Sequence, residues 1–308
     1  NRPWTRDNIV EECVETERNY CESLQTIVDV FVFPFRVMKV LEEEDMNAIF
    51  SNVEELCAAN RSMLNEFETA DDIYSSIGEV YLRHVERLKG YIKFSANLNP
   101  SRDAIERFTK TNPEFKRILG ICHSDPRCRG VFLTSYLIQP ISRVCKYPLL
   151  LRDLLKYTPE DNLDYQPLAL AYQEFQYISE IINYGQRKAE RLVQMKEMET
   201  RIKGYPGNLV IPNRTFESKL ECKIENIENV DACTIFIFSD ILVITTPEVN
   251  RLVENIASIP LCGCKVILMN DNRYRLETVN DSYTFHCETK ANLGVNLRIL
   301  KSCIRQAT

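Results

Sequence analysis

The chain has 308 residues, more than one ordinary hydrophobic core holds, so two domains are expected. Hydrophobic residues make up 44% and charged residues 27%, which excludes a disordered chain, and no apolar run approaches the roughly 20 residues that span a bilayer. The net charge of −6 divides into −5 over residues 1–203 and −1 over 204–308, so neither part has the basic surface that nucleic acid requires.

The longest apolar candidate, Ile235–Thr245, is short and broken by Ser239 and Asp240. The opening Asn1, Arg2, Pro3, Trp4 lacks a secretory pattern, and the absence of an initiating Met reads as a segment of a longer protein. Twelve cysteines are scattered through apolar stretches, as expected for core packing in a reducing compartment. The local groups Cys122, His123, Cys128 and Cys262, Cys264 lack the paired spacing of a zinc site, and no metal or other cofactor is expected. The three histidines, with no G-x-S-x-G, P-loop or H-E-x-x-H, give a hydrolase or metalloenzyme no support.

In chain order the first two-thirds reads as helix. Asp7 is the expected N-cap of a helix carrying Ile9, Cys13, Tyr20, Leu24, Ile27 and Val28, which Pro34 ends or kinks. Further helices are expected over 47–67, 72–94, 101–108 and 114–122. A long one follows over 130–156, with Pro140 and Pro148 inside it and Leu137, Ile141, Val144, Leu151 and Leu155 on one stripe. A last helix starts near Tyr165 and runs past Met198, its charged tail reading as an exposed extension toward the next domain. Composition shifts at Gly204–Asn208, and the apolar period then becomes two. Cys233–Thr246 reads as two strands joined at Ser239–Asp240. Further strands are expected at 256–259, 264–269, 274–278 and 283–287, then an amphipathic helix over 290–305. The fold class is therefore a mainly α, elongated multi-helix bundle over 1–203. A small antiparallel β-barrel or sandwich of about seven strands over 204–308 follows, capped by a C-terminal helix.

Two segments carry a family resemblance. Ile9–Tyr20, IVEECVETERNY, has an apolar helix start, a Glu and then T-E-x-x-Y. Leu133–Thr158, LTSYLIQPISRVCKYPLLLRDLLKYT, has the shape L-x-x-Y-L-I-x-P-x-x-R-x-x-K-Y-P-L-L-L. With PEDNLDYQPLALA, Ile182–Asn183 and Arg187–Glu190 following in order, residues 6–195 resemble the Dbl-homology domain of Rho guanine-nucleotide exchange factors. The strand-rich remainder is similar to the pleckstrin-homology domain that usually trails it.

The resemblance implies a non-covalent exchange catalyst that promotes GDP release from a Rho-family small GTPase and so regulates the actin cytoskeleton. In such a factor Glu12 would engage switch I, while Lys146 and Asn183 would engage switch II and disturb the magnesium site. The pairs Glu12 and Thr16, Ser142 and Lys146, and Asn183 and Arg187 are each i, i+4, with Leu149 a turn beyond Lys146, so each set shares a helix face. The sequence departs from the family pattern at Ser142, where Gln is usual, and at Cys145, where Leu is common. The Trp of the family's final pleckstrin helix is replaced near Asn296, and the sole Trp is Trp4. The first two departures keep open a second reading, a non-catalytic GTPase- or membrane-binding scaffold. Arg214, Lys219 and Lys223 are the candidate lipid contacts on the first strands. Glu217, Glu221 and Glu225 alternate with them, so only weak phosphoinositide binding is expected. The resulting location is cytoplasmic, with recruitment to the inner face of the plasma membrane.

Overall fold

The computed structural model describes residues 5–225, 227 and 230–307; Trp4 lies outside them. The chain forms two compact units, Asn1–Gln186 and Arg187–Thr308.

The first unit is helical. Helix α1, Arg6–Thr26, is capped by Thr5 rather than Asp7: the Asn8 amide donates to the Thr5 hydroxyl, and the Thr5 amide donates to the Asn8 side chain. Asp7 instead sits in the first turn, where its charge suits the helix dipole. Pro34 does not end this run. The ladder widens first into a π-helical stretch, Ile27–Val32, and the Phe33 amide donates to the Val28 carbonyl, before α2, Phe33–Val37, takes Pro34 in its first turn.

The expected second helix is divided. Helix α3, Glu43–Phe50, and α4, Val53–Thr69, are separated at Ser51, whose φ is 48°. Helix α5, Ile73–Leu88, and α6, Gly90–Ala96, likewise replace one expected helix. Helix α7 covers Leu98–Thr111 and α8 Pro113–His123. The expected helix over 130–156 becomes a single turn, α9, Leu133–Tyr136, and α10, Gln139–Lys156. Pro140 therefore starts α10, where a missing N–H costs nothing, and only Pro148 is interior.

Helix α11, Tyr165–Arg201, is the longest. At its start the Asp164 carboxylate is buried between helices. It accepts the Gly78 and Glu79 amides at 3.0 and 3.2 Å and pairs with Arg6 at 2.7 Å. This close approach needs Gly78, because a Cβ there would lie 2.7 Å from the Leu168 backbone nitrogen. Tyr81, Tyr147 and Phe175 pack edge-on and tilted at the centre of this core, with ring centroids 4.8 to 6.0 Å apart.

The second unit contains the end of α11, an eight-stranded sheet and α12, Lys290–Ala307. The strands are β1 Ile202–Lys203, β2 Phe216–Ile224, β3 Ala232–Phe238, β4 Ile241–Thr245, β5 Val253–Pro260, β6 Lys265–Leu268, β7 Arg273–Glu277 and β8 Ser282–His286, in the order β1-β5-β4-β3-β2-β8-β7-β6. Two antiparallel meanders meet where Lys223 and Ile224 pair with His286 and Phe285. Ile235, Ile237, Leu242 and Ile244 share a core with Tyr274, Phe285 and Leu300, so the meanders and α12 enclose one interior.

The other face of β3 and β4, with Phe236, Phe238, Ile241 and Val243, packs on Met195, Met198 and Ile202. That explains why CTIFIFSDILVITT is apolar almost throughout. The charged tail of α11 is exposed along most of its length, as expected, and buries only Met195 and Met198, with Ile202 of β1 joining them in this core. Asn296, in place of a Trp, is buried and donates to the Cys287 sulfur at 3.2 Å.

Candidate functional site

Helix α1 presents Glu12 and Thr16 half-buried on one side. The Thr16 hydroxyl donates to the Glu12 carbonyl at 2.7 Å and accepts from Arg143 Nη1 of α10 at 2.9 Å. Along α10, Ser142, Lys146 and Leu149 are all exposed, and Leu149 keeps 51% of its surface in contact with solvent. In the Leu149–Leu151 run, Leu151 is fully buried, Leu150 half-buried and Leu149 outward. A helix turns by 100° per residue, so three consecutive leucines cannot all face one interior.

On α11 Asn183 is exposed, and its Oδ1 lies 3.9 Å from the Cys145 sulfur, which donates to it. Two contacts thus bring the three segments together: Thr16 meets Arg143, just after Ser142, and Asn183 meets Cys145, just before Lys146. Arg187, exposed one turn after Asn183, belongs to the second compact unit. Among the described residues neither Glu12 nor Lys146 takes part in an ion pair, so both charges remain available to a partner.

Behind this face lies a polar network that the sequence reading missed. Arg143 and Glu17 are buried, with 5% and 0% exposure, and form a salt bridge of 2.6 Å. The Tyr147 hydroxyl is 2.9 Å from both Glu17 Oε2 and Asn60 Oδ1. The Tyr91 hydroxyl lies 3.1 Å from Asn60 Oδ1 and 2.9 Å from the Tyr20 hydroxyl. Arg143 also stacks over the Tyr147 and Tyr20 rings. Burial pushes the Glu17 carboxyl up, while the charge and hydrogen bonds of Arg143 and then the Tyr147 hydroxyl pull it down. The only signal available beforehand was an Arg within the apolar stripe of an otherwise core-facing helix. A buried Arg needs a carboxylate partner, and Glu17 is the acid of T-E-x-x-Y.

The basic candidates of the second unit are differently placed. Arg214 precedes β2 instead of lying on it, and its guanidinium is bidentate to Asp240 at 2.7 and 2.8 Å. Lys219 pairs with Glu248, which also holds Arg201 at 2.8 Å. Lys223 is exposed and has no ion-pair partner among the described residues. No described helix is long and apolar enough to cross a membrane.

The model of the RhoGEF domain family matches residues 9–183, the stretch that contains all three segments. The chain belongs to the RhoGEF domain family. The myosin-M heavy chain of Dictyostelium discoideum is 31% identical over 296 residues, covering 89% of this chain and 17% of that protein. The RhoGEF domain-containing protein gxcJ of the same organism is 32% identical over 229 residues, covering 73% of this chain and 19% of that protein. The chain thus spans less than a fifth of the length of these two relatives.

The fold of both units is that of Dbl-homology and pleckstrin-homology structures. Autoinhibited Vav1 superposes with a TM-score of 0.77 at 21% identity over 98% of this chain and 58% of that one. The fragment of PDZRHOGEF in complex with human RhoA gives 0.75 at 15% identity over 98% and 94%. In this RhoGEF domain, then, the family's two motif blocks serve two ends. Glu17, Tyr20, Arg143 and Tyr147 form the buried network, and Glu12, Ser142, Lys146 and Leu149 stay at or near the surface.

Proposed function

We propose that this chain promotes GDP release from a Rho-family small GTPase by binding its nucleotide-free state better than its loaded state. The carrying observation is the apposition of α1, α10 and α11 at Thr16–Arg143 and Cys145–Asn183, which presents Glu12, Lys146 and Asn183 from neighbouring helices. Glu12 accepts backbone N–H groups of switch I. Lys146 and Asn183 hold switch II in a form that intrudes on the magnesium site. Thr16, Ser142, Leu149 and Arg187 complete the contact. No covalent bond is made or broken: the chain is a catalyst of dissociation by differential binding, and a thousandfold acceleration requires about 4 kcal/mol of preference.

We propose residues 1–203 as the exchange domain and 204–308 as the trailing domain. The latter associates weakly with membrane surfaces from the cytoplasm through Lys219 and Lys223, with Arg214 largely engaged by Asp240.

The test is release of a fluorescent guanine nucleotide from a panel of GTPases with and without the chain. Relatives are named for both substrates, a Rac exchange factor of Dictyostelium discoideum and a Rho1 exchange factor of Schizosaccharomyces pombe, so the panel must hold both classes. Acceleration of one or a few members is expected. Binding without acceleration would favour the scaffold reading and point to Ser142 and Cys145.

A further inference from the structure

In the second unit Cys222 of β2 and Cys233 of β3 are directly opposed partners of an antiparallel pair, so their side chains share one face of the sheet. Both are free thiols, and their sulfurs lie 3.6 Å apart. Opposed residues in such a pair have Cα separations of about 4.5–5.5 Å, inside the span of about 4.4–6.8 Å that a disulfide accepts. Bond formation therefore needs side-chain rotation and no backbone displacement. The two sulfurs are nearly buried, yet both residues line a cavity of about 620 Å³ between β2, β3 and α12, together with Lys223, Thr234, Asn292 and Asn296. A space of that volume is ample for a small hydroperoxide to reach both residues.

We propose that Cys222 and Cys233 are a reversible dithiol–disulfide site whose oxidant is a hydroperoxide entering through this cavity. The Cys233 sulfur attacks one oxygen of hydrogen peroxide. The O–O bond breaks, the departing oxygen leaves as water with the thiol proton, and Cys233 becomes a sulfenic acid. The Cys222 sulfur then attacks the Cys233 sulfur. An S–S bond forms, the S–O bond breaks, and the hydroxyl leaves with the Cys222 proton as a second water. Two thiols lose two electrons, and one peroxide is reduced to two waters. The sulfurs are in contact and either can donate; when Cys222 donates, it draws the Cys233 thiol below its ordinary range, which favours Cys233 as the first to attack. Cys287, which accepts from Asn296, is the thiol that would compete.

The test uses the full chain carrying Cys262→Ser, which removes the exposed thiol that would link two copies. After hydrogen peroxide treatment, free thiols are alkylated and a tryptic digest is analysed without reduction. Trypsin separates Cys222, in residues 220–223, from Cys233, in residues 224–251. The expected product is these two peptides joined, two hydrogens lighter than their sum and separated again by dithiothreitol. With Cys222→Ser added, dimedone should instead trap Cys233 as its sulfenic acid. Recovery of both cysteines alkylated, their irreversible overoxidation, or a Cys222–Cys287 link would each overturn the proposal. The parent digest decides by itself if the second variant does not fold.

Discussion

At the scale of single residues, the two motif blocks divide by direction. Lys146 and Tyr147 are adjacent in sequence, yet one is exposed and the other buried beside Glu17. Glu12→Ala and Lys146→Ala remove little or no buried apolar surface, so each should leave the melting temperature within a few degrees of the parent. Each should lower nucleotide release at least tenfold, a loss of about 1.4 kcal/mol or more in transition-state preference. Normal release by either variant would show that the site assignment is wrong. Arg143→Met behaves oppositely. It strands a buried carboxylate, and urea unfolding followed by far-UV circular dichroism should show a loss of about 3–5 kcal/mol. Adding Glu17→Gln removes the stranded charge and should recover much of that loss; no recovery would place the cost in packing alone. The family resemblance made Glu12 and Lys146 legible, whereas Arg143 and Glu17 were not, because a pairing across 126 positions leaves no periodic trace.

At the scale of elements, close packing and one histidine set local limits. A Cβ at Gly78 would press on the Leu168 backbone, which cannot rotate away as a side chain would. Gly78→Ala should therefore cost about 1–3 kcal/mol in the same unfolding measurement, despite the higher helix propensity of Ala.

His123 ends α8 and, through Nε2, accepts the Leu133 amide at 3.0 Å, which closes the start of α9. Burial lowers its pKa from 6.5, so the folded state holds it neutral. As pH falls below 6.5 the unfolded chain takes up the proton first. The stabilising contribution is thus complete above 6.5 and is lost toward the lower folded value. Melting curves between pH 7.5 and 5.5 should show a drop that is smaller in His123→Gln, whose amide oxygen can still accept but does not titrate. An equal drop in both would assign the acid sensitivity elsewhere.

At the scale of the molecule, the change of composition at Gly204 and the change of packing do not coincide. Met195, Met198 and Ile202 lie before Gly204 and complete the second unit's core against Phe236, Phe238 and Val243. Burying three such side chains is worth roughly 4–9 kcal/mol, comparable with the roughly 5–15 kcal/mol stability of a whole domain. A fragment beginning at Gly204 should therefore unfold without a cooperative transition, and one beginning at Arg187 should melt cooperatively. Equal cooperativity in both fragments would show that the sheet and α12 suffice.

Periodicity in the sequence determined the two-part architecture, the strands from β3 onward and the closing helix, and the resemblance carried by the two motif blocks pointed to the family. Each of these rests on local repeats of 3.6 or 2 residues, or on contiguous motifs. Only the tertiary structure decided where helices break, as at Ser51 and the π-helical Ile27–Val32, because those breaks answer to packing partners far along the chain. Tertiary structure likewise decided that Arg143, Glu17, Tyr147 and Asn60 form one buried network. Water would solvate each of these polar groups in an unfolded chain, and only exclusion of water by the surrounding helices makes them need one another.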